Sequence, residues 1–134
     1  VAYQPQGGTT GGTQPAWSGP SPISGSYLLL GNIVNFNIDL DFDTITNFGT
    51  GQYFLTLPFP ATHNQLFSDG CLHDISTSRQ YRIAGHVVAG SDRLDLWYTA
   101  SNGRDEPFTS TAPVQLSTAD NYHISGSYEI EPQN

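Results

Sequence analysis

The run "NFNIDLDFD", residues 35–43, alternates without a break. Phe36, Ile38, Leu40 and Phe42 are apolar, and Asn35, Asn37, Asp39, Asp41 and Asp43 are polar. A repeat of two places successive side chains on opposite faces of an extended chain, so this stretch predicts a half-buried β-strand with its aspartates facing solvent. No segment keeps a 3.6-residue apolar repeat long enough to predict a helix. Shorter runs of the period-two kind surround it. "GSYLLLG" and "NIVNFNIDLDF" predict two strands joined by a hairpin turn at Gly31 and Asn32. "GQYFLTLPFP" is a third, ended by Pro58 and Pro60. "GCLHDIS" is a short fourth, "RQYRIAGHVVA" and "DRLDLWYTA" form a hairpin across "AGSD", and "NYHISGSYEIE" closes the series. Residues 101–120 read as loop, with one short strand or turn around Val114 to Leu116.

Many short strands with frequent turn signals predict an all-β fold, an antiparallel β-sandwich of jelly-roll type. Residues 1–22, "VAYQPQGGTTGGTQPAWSGPSP", are rich in Gly, Pro, Thr and Gln and read as an irregular arm or linker, leaving residues 23–134 as the sandwich domain. Trp17 is too large to be left loose and is expected to pack on the domain or on a neighbouring subunit. A chain of 134 residues is one domain that needs no covalent staple. Its single cysteine, Cys71, lies among apolar residues and is expected to be a small buried hydrophobe.

The stretch "DLDFDTITNFGTGQ", residues 39–52, resembles a site and fails as one. On a straight strand the carboxylates of Asp39, Asp41 and Asp43 stand about 6.5–7 Å apart, too far to share one cation. An EF-hand loop counted from Asp39 needs Gly and Glu where Thr44 and Thr50 stand. A phosphate loop leads into a helix and a lysine, whereas "NFGTGQ" leads into a strand in a chain with no lysine. Gly49 and Gly51 are better explained as turn residues, with Asn47 bonding the backbone of the turn.

Twelve acidic residues against four arginines give a net charge of −8. That balance repels nucleic-acid backbones and disfavours anionic membrane surfaces as partners, and no apolar run is long enough to insert in a bilayer. No spacing among His63, His73, His86 and His123 matches a zinc motif, no motif implies a cofactor, and no nucleophile elbow is present, so no metal ligand or catalytic residue is assigned. If "AGSD" closes its hairpin, Val87 faces Leu94, Gly85 faces Leu96 and His86 faces Asp95, a structural cross-strand pair rather than two thirds of a triad. The polar loops suit a binder better than an enzyme. Trp97, Asn102, Arg104 and Asp105 lie in or beside one loop, and His63, Asn64 and Asp69 in another. Their ring faces, amides and carboxylates are the groups that hold sugar rings and hydroxyls, and they are the candidate ligand-binding residues.

The pieces "SGSYLLLGNIVNFNIDLDF", "NFGTGQYFLTLPFP", "GCLHDIS", "YRIAGHV", "DRLDLWY" and "HISGSYEI" resemble the terminal β-sandwich domain of bacteriophage minor tail proteins and tail fibres, over residues 14–131. The resemblance implies a non-enzymatic virion component, a homotrimer on a tail or particle surface. It would bind a host-surface glycan or protein, and its N-terminal arm would join it to other virion proteins. A capsid decoration or collar fibre and the carbohydrate-binding module of an enzyme remain the alternatives. The family's motifs are scaffold residues and carry over no binding site.

Overall fold

The computed structural model describes residues 1–15, 23–42, 45, 47–75 and 77–132. The expectations for Trp17 and Asp43 fall outside these residues. Among the described residues there are eleven strands: β1 Ala2–Tyr3, β2 Gly7–Thr9, β3 Ile23–Leu30, β4 Ile33–Asp41, β5 Tyr53–Thr56, β6 Gln65–Phe67, β7 Asp69–Asp74, β8 Arg79–Val87, β9 Arg93–Thr99, β10 Asp105–Pro107 and β11 Asn121–Glu129. Every pairing is antiparallel, and no helix occurs among the described residues. The fold is all-β, one sheet curled into a half-barrel in the order β1-β3-β4-β11-β7-β8-β9-β5-β2, with β10 against β9 and β6 against β8.

The period-two pattern of β4 is realised residue by residue. Val34, Phe36, Ile38 and Leu40 are buried, while Asn35, Asn37, Asp39 and Asp41 are exposed. The same alternation buries Leu94 and Leu96 of β9 and Ile83 and Val87 of β8. The curled halves meet over a common core in which Phe36 of β4 and Phe67 of β6 lie edge to face, 5.0 Å between centroids, with Tyr128 against both. An edge-to-face pair adds about 0.5–1.5 kcal/mol beyond its buried area. The hairpin across "AGSD" has the expected register, with Val87 opposite Leu94, Gly85 opposite Leu96 and His86 opposite Asp95. The turn before β5 has Gly49 and Gly51 at φ of 74° and 92°, and Asn47 Oδ1 accepts the Gly49 amide at 2.9 Å. The stretch around Val114 to Leu116 forms no strand; the Leu116 amide bonds to the Ser110 carbonyl.

Two devices bend and close the sheet. The first is β8, which changes partners along its length. Its residues Arg79 to Arg82 pair with β7, and Ile83 to Val87 pair with β9. On the other edge, Phe67 stands opposite Gly85 and Cys71 opposite Arg82, so Ser68, Asp69 and Gly70 face only Ile83 and Ala84. One extra residue on one strand is a β-bulge, which sharpens twist and turns the sheet. At this corner the buried Tyr122 hydroxyl donates to the Ile83 carbonyl at 2.9 Å, and burial pushes its pKa well above the usual phenol value.

The second device is the N-terminal arm. Its strands β1 and β2 occupy opposite ends of the strand order, yet only residues 4–6 separate them. Such a link reaches no more than about 14 Å, so the arm straps the two edges together. The Gln6 amide donates to Thr56 Oγ1 at 2.8 Å, the Thr56 amide to the Gln6 carbonyl at 2.9 Å, and Gln4 Nε2 to the Ile23 carbonyl at 2.9 Å. Tyr3 meets Tyr27 edge to face at 5.8 Å. A segment of linker-like composition therefore has defined partners over residues 1–15, most of them backbone.

Candidate functional site

With Ile83, Gly85 and Val87 directed inward, β8 presents Arg82, Ala84 and His86 outward; β9 likewise presents Asp95, Trp97 and Thr99. On one flank β6 and the bulge bring up Leu66 and Ser68, and on the other β10 sets Asp105 opposite Thr99. These side chains enclose a groove of about 610 Å³, lined by Leu66, Ser68, Arg82, Ala84, His86, Trp97, Thr99 and Asp105. Trp97 has small or flat cross-strand neighbours, Ala84 and Pro107, which leave its indole only half-buried beside the groove. Leu66 is 63% exposed. Asp105 Oδ1 accepts the Thr99 hydroxyl at 3.1 Å and keeps further acceptor capacity. An aromatic face, one carboxylate, one guanidinium and several hydroxyls around an open hollow are the makings of a site for a polar ligand with an apolar face.

Of the residues expected from sequence to bind ligand, Trp97 and Asp105 meet in this groove. Asn102 and Arg104 belong to the tight β9–β10 turn, where Asn102 Oδ1 accepts the Arg104 amide at 3.0 Å, so the Asn102 side chain holds the turn. The other group lies elsewhere. Asn64 Oδ1 accepts the Ala89 amide at 2.8 Å, and His63 Nε2 lies 3.6 Å from Glu129 Oε2. Asp69 is exposed opposite Ser125. Ala89 lies in the turn that leads into β9 and Asn102 comes after its end; seven strand residues place Asn64 and Asn102 roughly 20 Å apart, while Asp69 stands in the bulge beside Ser68. The two loops do not form one site. Arg82, His86, Leu66 and Ser68 were missed by sequence reasoning. The outward alternation of "RIAGH" contained the signal for two of them, but β6 was not foreseen.

A second cluster is buried. Asn121 pairs with His73, so Asp120 continues on opposite Asp74, and the two are 0% and 1% exposed. Asp74 Oδ2 accepts the Thr77 hydroxyl at 2.7 Å, and Asp120 Oδ2 accepts the Ser117 amide at 2.9 Å. Asp120 Oδ1 and Ser117 Oγ have no hydrogen-bond partner among the described residues. Burial, then the charge of Asp74, raise the Asp120 pKa against the lowering effect of Ser117. Facing carboxyls bond to each other only when one carries a proton. A raised acid pKa means that the folded chain keeps a proton the unfolded chain has released. The stabilisation is therefore present at low pH and lost as pH climbs through the folded value. Asp120→Asn supplies a permanent donor in that place. Calorimetry across pH is expected to show the wild-type melting temperature falling, relative to this variant, as pH rises above about 4. Parallel curves would exclude a shared proton.

Cys71 corrects an expectation. The alternation of β7 turns Gly70, Leu72 and Asp74 inward and leaves Cys71 half-buried on the outer face, opposite His123 and Arg82. The register of His86 with Asp95 is as expected, but the carboxylate of Asp95 is engaged by Arg93 Nε at 2.7 Å, with the Arg93 guanidinium over the Phe54 ring at 4.7 Å. Among the described residues, no three His, Cys, Asp or Glu side chains converge as metal ligands. No protein-family model, no curated protein and no solved structure matches the chain.

Proposed function

We propose that the chain is a non-enzymatic recognition domain of a phage virion, borne on a tail fibre or minor tail protein, and that its outer groove holds a host-surface glycan. The half-buried Trp97 beside a hollow with Asp105, Ser68, Thr99 and His86 carries the glycan part: the indole offers an apolar face to a sugar ring, and the polar groups offer partners to its hydroxyls. The phage part rests on the sequence resemblance. Among the described residues Asp105 is the only carboxylate lining the groove, whereas glycosidases set two carboxyls across the scissile bond, which favours binding over cleavage.

Trp97→Ala is expected to weaken glycan binding by about 10-fold or more while leaving the melting temperature within a few degrees, because the indole stands outside the core. Titration calorimetry against glycans bound by the wild type, in parallel with thermal unfolding, measures both. Unchanged affinity would remove the groove from consideration. The domain is proposed to act as a homotrimer, supported by Leu28, Leu30 and Ile33, which are 55%, 61% and 39% exposed at one end of the β3–β4 hairpin. Light scattering is expected to give three times the chain mass; a stable monomer at micromolar concentration contradicts it.

A further inference from the structure

Arg82 belongs to more than one hollow. Beside the groove of about 610 Å³ lies a second hollow of about 620 Å³, which shares Arg82 and Thr99 with it and adds Tyr98 and Ser101. A third, of about 430 Å³, shares Gln80, Tyr81 and Arg82 with the second and adds Cys71 and His123. The first and third share Arg82 and line one furrow along the outer face of β8, past Gln80, Arg82, Ala84 and His86, whereas Tyr81 and Tyr98 at the second have the inner parity and pack against the core. From Gln80 to His86 the strand rises roughly 20 Å, room for an oligosaccharide rather than a single sugar.

At the junction stands an exposed guanidinium that forms no ion pair among the described residues, although the chain carries twelve acids. Arg93 is the exception, its guanidinium committed to Asp95 and to the ring of Phe54; Arg79 and Arg104 form no ion pair among the described residues either, but neither lines these hollows. The other titratable side chains along these hollows are Asp105, His86, His123, Cys71, Tyr81 and Tyr98, so Arg82 is the furrow's one fixed positive charge. A guanidinium presents a planar fork of donors that matches a carboxylate in two parallel hydrogen bonds, and desolvating it without such a partner is unfavourable. We propose that the furrow takes an oligosaccharide of mostly neutral sugars that carries one acidic residue, and that Arg82 holds its carboxylate at the centre. Trp97 supports a neighbouring ring, and Asp105 accepts hydroxyls away from the anionic group. This rests on the glycan reading above and adds the chemical class of the ligand and the residue that selects it.

The test compares two singly charged trisaccharides, sialyllactose and one glucuronate on two xyloses, with the methyl ester of each, in which chain and hydroxyls are kept and the charge is removed. Titration calorimetry uses the full chain, as wild type and as Arg82→Gln. The wild type is expected to bind at least one of the two acids, with the ester about 10- to 100-fold weaker, and Arg82→Gln to lose the same factor for the acid while binding the ester as the wild type does. Arg82 is exposed, so thermal unfolding of the variant is expected to match the wild type. Equal binding of acid and ester, unchanged in Arg82→Gln, overturns the acidic class and leaves glycan recognition standing. Binding of neither acid by the wild type also overturns it, and the Trp97→Ala comparison on other glycans then judges the recognition reading separately.

Discussion

Gly70→Ala is expected to lower stability by about 4 kcal/mol, a large share of the roughly 5–15 kcal/mol that holds a domain folded. A Cβ at Gly70 would stand 1.9 Å from the Ile83 carbonyl oxygen and 2.6 Å from the Tyr122 hydroxyl. The first is backbone and cannot rotate away. Relief requires the bulge and β8 to separate, which strains packing by about 1–3 kcal/mol. The same movement breaks the buried bond from Tyr122 to Ile83, leaving two polar groups without partners at about 1–3 kcal/mol. Two further variants keep the test informative if the first fails to fold. Tyr122→Phe removes the bond without the clash and leaves only the Ile83 carbonyl without its partner, so it should cost no more than that second amount. Gly12→Ala adds a methyl with nothing within 4 Å and should be close to neutral. Urea unfolding monitored by tryptophan fluorescence ranks them. A Gly70→Ala protein as stable as Gly12→Ala would mean that the corner does not have this close approach.

Removing residues 1–9 is expected to have its largest effect on association. The loss of Tyr3 from its contact with Tyr27, offset by the entropy regained by the released chain, leaves a net destabilisation on the order of 2 kcal/mol. The edges matter more. β1 covers part of β3, and β2 covers part of β5. Without them two strands present unpaired backbone groups to solvent, the usual template for edge-to-edge aggregation. Light scattering should show material well beyond any defined oligomer, at concentrations where the intact chain is homogeneous. A truncated chain that stays homogeneous and equally stable would show that the strap is dispensable.

What could be read from sequence and what could not divide along a physical line. Period-two burial is written in side chains, so β4 and the β8–β9 register were legible, down to Gly85 opposite Leu96. The "NFGTGQ" stretch was correctly read as a turn, because it leads straight into a strand, β5. Strands such as Gly7–Thr9 and Asp105–Pro107 have no apolar alternation; they exist because a neighbouring edge offers hydrogen bonds. Trp97 and Asp105 were picked out singly for their chemistry, but their meeting depends on β10 folding back on β9. The facing of Asp74 and Asp120 depends on the register of two strands about fifty residues apart in the chain. Arg82 was overlooked because its importance comes from being at a corner, and the corner is made by a bulge.

The placement of β11 has a consequence for how the chain comes to be folded. The last strand in sequence is an interior strand, lying between β4 and β7. During synthesis the β3–β4 hairpin can form early, but its inner edge must wait until residues 121–129 have emerged. The strap cannot do its work before that half of the sheet exists. Partners so distant along the chain make for slow, non-local folding with little native structure to shelter a half-made chain. The exposed edge that waits for β11 is where a chaperone, or another unfinished copy, would find its opportunity.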